Sequence, residues 1–135
     1  MMRSAVPDMV RLVPQSGFHP DCAVSAVAML CGVLYQDALA AFADPLDVML
    51  NGVSWPMVQE AAKRLGFKTR LKLRRYDVAE DTGILNVVRP RDEHLCFLWE
   101  GRIVDGNGEL WLSPEAYLKH YRYKAKGLLV VESER

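Results

Sequence analysis

The sequence predicts a single α+β domain, with helices in the N-terminal half packed on a mainly antiparallel sheet. The apolar run over 22–34 is too long for a typical strand and too short to span a bilayer, which is typical of a buried helix. From Phe67 onward, apolar and polar residues alternate in short stretches, as strands with one buried face do. Helical patterns therefore come first and strand patterns follow, and this order favours the α+β class.

Length and composition set limits on the class of protein. The 135 residues suit one domain, which is large enough to bury a sizeable core. Seventeen basic and seventeen acidic residues cancel, so we expect neither nucleic acid nor a membrane surface as a partner. The first twenty residues have no uninterrupted apolar stretch, and three scattered cysteines suit a reducing compartment. We therefore expect a cytoplasmic protein without a disulfide framework.

The helices are predicted from caps and apolar spacing. Asp21 is a good N-cap for the first helix, which should end near Gly32. A second helix over about 36–42 must stop before Asp44-Pro45, because the residue ahead of a proline avoids helical angles. After a turn at Asn51-Gly52, Ser54 opens a third helix that Gly66 should terminate.

The second half of the chain predicts strands and one late helix. Lys68, Arg70, Lys72 and Arg74 alternate with apolar residues, which indicates a strand with a basic outer face over 67–74. Further strands are expected at 84–88, 95–99, 102–105 and 128–131. Glu100-Gly101 predicts a hairpin turn, and Ser113 opens a last short helix that runs towards His120.

Cys22 is a candidate nucleophile because of its position. It lies in the first turn of the predicted helix, where the positive end of the helix dipole favours a thiolate. The dipole contributes only about 0.3–1 kcal/mol, which is too little to ionise a thiol fully at neutral pH. A nearby histidine would also be needed, and the chain has three.

His94 is the best candidate for the base. It begins a predicted strand, and a hairpin near Gly101 brings Asp105 close to opposite it, so base and orienting carboxylate come together. His19 lies in the loop before the helix and should point away from it, and His120 should face solvent. Gln15 is a side-chain amide that could join the Cys22 backbone N–H in binding an oxyanion. The order Gln, Cys, His, Asp is that of a cysteine hydrolase.

These residues and the segments around them resemble the papain-like bacteriocin-processing peptidases, which cleave double-glycine leaders and have stand-alone relatives. The resemblance rests on Gln15, the pair Asp21-Cys22, the stretch 61–67, the stretch 94–98 and Asp105. It covers about 12–131, nearly the whole chain, and implies a single domain of papain-like fold with its core over that range, and a peptide or protein substrate. It also implies Cys22 as nucleophile, His94 as base, Asp105 as its orienting group and Gln15 in the oxyanion hole, with no cofactor.

Several alternatives remain open at this point. The family usually has glycine where this chain has Ala23, and the loop from Gln15 to Cys22 is one residue longer than usual. Both features favour a catalytically inactive papain-like domain that binds a peptide or protein partner in the same groove. The basic residues of 67–74 could dock an acidic partner, or could only keep an edge strand soluble. A metal site at Cys22, His94 and Cys96 is disfavoured because the paired spacing of zinc motifs is missing.

Overall fold

The computed structural model describes residues 22–46 and 53–134. Its helices are α1 (Cys22–Cys31), α2 (Tyr35–Ala40), α3 (Trp55–Arg64) and α4 (Pro114–Tyr121). Its strands are β1 (Phe67–Lys72), β2 (Gly83–Arg89), β3 (Asp92–Trp99), β4 (Arg102–Val104), β5 (Leu110–Trp111) and β6 (Lys124–Glu134). The predicted α+β class is confirmed.

The strands form one six-stranded antiparallel sheet in the order β1-β6-β2-β3-β4-β5. The last strand, β6, lies between β1 and β2 and pairs with both, so the C-terminal strand connects β1 to the rest of the sheet. The order of strands along the chain does not reveal this insertion, because it depends on a long-range pairing. Within the described residues, β1 and β5 are the two edges of the sheet.

Alternation along the strands gives the sheet two packed faces. On β3, Leu95 and Phe97 contact the cluster that helices α1, α2 and α3 complete, while Cys96 and Leu98 belong to a second cluster. The second cluster includes Tyr117 of α4 and Trp111 of β5. Two layers therefore cover the sheet, one on each face: α1, α2 and α3 form the first layer, and α4 belongs to the second.

Helix α1 is the centre of the first layer. It packs against β3, α2 and α3, and its buried residues are mostly small, which lets the helix lie close to the sheet. Val24 and Val27 are completely buried. Gly32 follows the last residue of the helix with a positive φ of 68°, a conformation in which helices commonly end. A close contact between α1 and β3 places the start of the helix beside the sheet strand that carries His94.

The hairpin between β3 and β4 forms where the sequence predicts it. Trp99 pairs with Arg102, and the two intervening residues, Glu100 and Gly101, have φ values of 45° and 84°. Two successive residues with positive φ are typical of the two-residue turns that match the twist of a hairpin. The turn fixes the register of β4 and hence the position of the residue that follows it, Asp105.

Other predicted elements differ in their bounds. Strand β1 ends at Lys72, two residues earlier than expected, and β2, β3 and β6 extend beyond their predicted ends. Strand β5 was missed, since two residues are too few for a pattern of alternation. The predictions for Asp21 and for the Asn51-Gly52 turn lie outside the described residues.

One finding bears on membranes. Within 22–46 and 53–134, the structure contains no helix with the length and apolar character needed to cross a bilayer.

Candidate active site

Cys22 is the first residue of α1 and is partly exposed, whereas the seven residues that follow it are all buried. The helix is anchored by its apolar body, so its first side chain is held at the surface of the core. A partly exposed thiol at the start of a helix lies near backbone N–H groups that have no partner within the helix. This position suits a group that must meet a substrate.

His94 is the third residue of β3, and 18 % of its side chain is exposed. It pairs with Val87 of β2, and the Asn86 side chain donates a hydrogen bond of 3.3 Å to the His94 carbonyl oxygen. On the other side, β4 pairs only with the end of β3, from Phe97 to Trp99. The edge of β3 at His94 is therefore not covered by β4, which leaves room for groups from both layers.

Asp105 directly follows β4 and points at His94. Because Val104 lies opposite Phe97, Asp105 is diagonal to His94 across the hairpin, two residues from direct opposition. His94 Nε2 lies 3.0 Å from Asp105 Oδ1 and 3.1 Å from Oδ2, and the ionised carboxylate can only accept, so the imidazole donates. Asp105 is 3 % exposed. A buried carboxylate with this geometry fixes the plane of the imidazole ring.

The Cys22 side chain lies close enough to the His94 ring to raise the pKa of that ring, through a side-chain hydrogen-bond interaction and through its charge. Asp105 takes both of its contacts at Nε2, so Nδ1 is the ring nitrogen without a contact to the carboxylate. The structure thus brings together three of the four residues that the sequence singles out, from α1, β3 and the turn after β4. Gln15, the fourth, lies outside the described residues, as does His19.

The electrostatics of the pair favour its charged form. Burial lowers the pKa of His94, but its hydrogen bonds with Asp105 and Cys22 and their negative charges outweigh burial and raise that pKa to about 10. Burial raises the pKa of Asp105, yet the hydrogen bonds from His94 and Tyr117 and the charge of His94 bring it below its ordinary value. At neutral pH the pair is therefore an imidazolium and a carboxylate.

The turn after β4 orients the Asp105 carboxylate further. The Gly108 N–H donates to the Asp105 carbonyl oxygen at 3.0 Å, and the Asn107 N–H donates to Asp105 Oδ1 at 3.3 Å. In the sequence alone, the residues 105–108 are also compatible with a tight turn that has no further role. The structure shows that the same segment makes the turn and places the carboxylate on the histidine.

Tyr117 is a component of the site that sequence reasoning missed. Its hydroxyl donates a 2.7 Å hydrogen bond to Asp105 Oδ2, and the residue is completely buried. A usable pattern existed: Pro114, Tyr117 and Tyr121 recur at helical spacing, which marks the inner face of the last helix. A tyrosine on an inner face needs a partner for its hydroxyl, and the acceptor that it finds is Asp105.

The other two cysteines are in different surroundings. Cys31 is 9 % exposed at the far end of α1, and Cys96 is completely buried, with its sulfur 3.8 Å from the Leu85 carbonyl oxygen. In the described part of the chain all three thiols are free, and no group of three or more His, Cys, Asp or Glu side chains could hold a metal ion. Cys96 therefore acts as a core residue beside the site.

His120 lies apart from this site. It is exposed near the end of α4, and its ring packs against Trp111 and Tyr121, at centroid distances of 5.2 Å and 4.7 Å. The expectation that it faces solvent is confirmed. His94 is accordingly the histidine that meets Cys22.

The basic residues of the predicted strand lie at an edge of the sheet. Lys68, Arg70 and Arg74 are exposed and Lys72 is partly buried, and Arg70 has one weak ion pair of 3.9 Å with Glu132 of the neighbouring strand. Strand β1 pairs with β6 on one side only, as far as the described residues show. The backbone groups on the side of β1 without a described partner strand and the exposed basic side chains therefore lie at the same edge of the sheet.

No protein-family model matches the chain, and neither the curated proteins nor the solved structures provide a match.

Proposed function

We propose that this protein is a papain-like cysteine hydrolase that cleaves a peptide or amide bond. The observation that carries the proposal is the meeting of Cys22, His94 and Asp105 from three separate segments of the fold: His94 Nε2 lies 3.0 Å from Asp105 Oδ1, and Cys22 is close enough to raise the pKa of His94. A nucleophile, a base in contact with it and a third group that orients the base are the parts that covalent acyl transfer requires. The helical layer on an antiparallel sheet, with the cysteine at the start of a helix, also supports the papain-like resemblance.

In the proposed reaction, the Cys22 proton resides on His94, and the resulting thiolate attacks the carbonyl carbon of the substrate. The carbon–nitrogen bond then breaks, and the His94 imidazolium gives its proton to the leaving amine. This leaves a thioester on Cys22 and a neutral imidazole. His94 next removes a proton from water, the hydroxide attacks the thioester, and the acid product leaves as the thiolate re-forms.

Asp105 supports both roles of His94, as acceptor of the Cys22 proton and as proton donor to the leaving amine. Its carboxylate stabilises the imidazolium while the thiolate waits for substrate, and its hydrogen bonds to Nε2 keep Nδ1 directed at the sulfur. A positive His94 can be both the counter-ion of the thiolate and the acid for the leaving group. We assign the developing oxyanion to the Cys22 backbone N–H and, by the resemblance, to the Gln15 side chain.

The substrate and compartment follow from the same argument. We propose a peptide or protein substrate, because the resemblance implies one and the nucleophile is partly exposed at the protein surface. We also propose a reducing, cytoplasmic environment, since the three described thiols are unpaired and a reactive thiolate survives best where oxidants are scarce.

The test is selective alkylation. Native protein is treated with iodoacetamide at about pH 6, where a free cysteine is almost wholly protonated, and each modified thiol is quantified by peptide mass spectrometry. We expect Cys22 to react at least about 100-fold faster than Cys31 and Cys96, and the His94→Ala variant to lose that advantage. His120→Ala is the matched control and should leave the rate unchanged.

The hydrolase proposal is wrong if Cys22 reacts no faster than a free cysteine in the folded protein, or if His94→Ala leaves its rate unaltered. Hydrolysis itself is then measured with a library of peptide amides, comparing the wild-type protein with Cys22→Ala. Activity that survives in Cys22→Ala would assign the reaction to other residues.

A second candidate function is supported by strand β1. The edge of β1, which has no partner strand among the described residues, and the exposed Lys68, Arg70 and Arg74 at or just after it suit an acidic peptide that adds to the sheet as a further strand. In this reading the domain binds a partner and does no chemistry. It is favoured if Cys22 shows ordinary reactivity while a Glu-rich peptide binds the wild type and not the Lys68→Glu, Arg70→Glu double variant. Failure of that peptide to bind the wild type contradicts it.

A further inference from the structure

Helix α4 delivers a buried hydroxyl to the candidate active site. The Ser113 hydroxyl caps the helix by accepting a 3.1 Å hydrogen bond from the Ala116 N–H, and Tyr117 follows one turn into the helix. The Tyr117 ring packs at its edge against Trp111 and Tyr121, with centroid distances of 5.9 Å and 5.2 Å. The ring is therefore fixed on several sides, and so is the direction of its hydroxyl.

The hydroxyl has a defined role as a donor. Burial, followed by the charges of Cys96 and Asp105, raises the pKa of Tyr117 above its ordinary value, so the phenol keeps its proton. That proton points at Asp105 Oδ2, while the Asn107 N–H reaches Oδ1. With the contacts from His94, every described donor on this carboxylate lies on a separate element: α4, β3 or the turn after β4.

We propose that Tyr117 is a positioning residue of the hydrolase: it holds the Asp105 carboxylate so that both oxygens face His94 Nε2. This inference depends on the proposed function, because it assigns Tyr117 a part in keeping the imidazole in register with Cys22. Without the hydroxyl, the carboxylate keeps only the donors from His94 and Asn107 and is held less firmly against rotation away from the ring. It also loses a charge-stabilising donor in a buried place, where such donors matter most.

The chain offers a matched control for a purely structural role. Tyr121 lies one turn further along α4, and its hydroxyl also donates a 2.7 Å hydrogen bond, but to Glu109 Oε1. Both rings belong to the same aromatic group around Trp111. Loss of either hydroxyl removes a short hydrogen bond to a carboxylate, and only Tyr117 is bonded to the carboxylate that contacts His94.

The experiment compares Tyr117→Phe with Tyr121→Phe by the iodoacetamide rate at Cys22, measured at about pH 6 on folded protein. We expect Tyr117→Phe to react roughly 3- to 10-fold more slowly than the wild type, and Tyr121→Phe to stay within about twofold of it. Thermal melting of both variants shows that the native state is intact. Equal rates in Tyr117→Phe and wild type would overturn the inference, and so would equal slowing in the two variants.

The result separates this inference from the proposed function. If wild-type Cys22 has only ordinary reactivity, the hydrolase itself is wrong; if it is fast in both wild type and Tyr117→Phe, only the role of Tyr117 is wrong. Should Tyr117→Phe fail to fold, the wild type decides the matter by NMR. We expect a Tyr117 hydroxyl proton that is protected from exchange with water and disappears in Asp105→Ala, which removes the acceptor; a hydroxyl proton that exchanges freely, or one that persists in Asp105→Ala, contradicts the inference.

Discussion

Helix α1 carries a cysteine at each end, and the surroundings of the two thiols differ in what sets thiol reactivity. Cys22 is partly exposed and lies beside His94, whose pKa Cys22 and Asp105 together raise to about 10. Cys31 is 9 % exposed among apolar side chains, and burial raises its pKa to about 12. The comparison shows that the helix fixes where each thiol lies, whereas the reactivity of Cys22 depends on His94 of β3.

The largest effect should follow removal of the charge that supports that partner. In Asp105→Asn the imidazole keeps a neighbour of the same shape but loses the carboxylate, so the pKa of His94 should fall by about 2 units or more. The iodoacetamide rate of Cys22 at about pH 6 should drop roughly 100-fold, towards that of Cys31. NMR titration of the His94 ring measures the first quantity. A variant that still titrates near the wild-type value would show that Asp105 is not the source of the shift.

A second, intermediate effect is the pH dependence of stability. The pKa of His94 is raised on folding, so its contribution to stability is complete below about pH 6.5, declines above that value and is gone once the pH passes about 10. Asp105 has a lowered pKa, so its contribution is present above about pH 4 and is lost as the pH falls through the folded value.

The free energy of unfolding from urea titrations tests this window. The stability of the wild type relative to Asp105→Asn should be greatest at about pH 4–6.5 and should shrink by on the order of 2 kcal/mol by about pH 10. A difference that stays constant over this range would mean that the two groups do not interact as an ion pair.

The smallest effect is expected at the other end of the helix. Cys31→Ala removes one buried sulfur from the apolar cluster, which should lower the free energy of unfolding by about 1 kcal/mol. The rate of alkylation at Cys22 should not change, because the two residues lie nine positions apart along α1. A slower Cys22 in this variant would indicate that the thiol depends on the packing of the whole helix.

The elements around the site show what sequence reasoning could supply. The first helix, the hairpin at Glu100-Gly101 and the meeting of His94 with Asp105 follow from local patterns, because caps, turn residues and alternation act over a few positions. The finer geometry did not follow: Asp105 is diagonal to His94, since the register of β4 starts from Trp99 and Arg102.

Long-range features were out of reach for a physical reason. The insertion of β6 between β1 and β2 depends on pairing between residues at least 36 positions apart, the separation of Val88 and Lys124, which no local pattern encodes. Tyr117 could not be assigned to the site from the sequence, because the layer to which α4 belongs exists only once the sheet is assembled. Its contact with Asp105 joins two segments whose spacing in the sequence carries no motif.

The most direct test of the central claim measures the thiolate itself. Ultraviolet absorbance of the thiolate is recorded across pH as the difference between the wild-type protein and Cys22→Ser, each checked to be folded. The account predicts that this absorbance is already present at about pH 6 and is absent in His94→Ala at that pH. Absorbance that appears only near about pH 8.5, as for a free cysteine, would contradict the ion pair between Cys22 and His94.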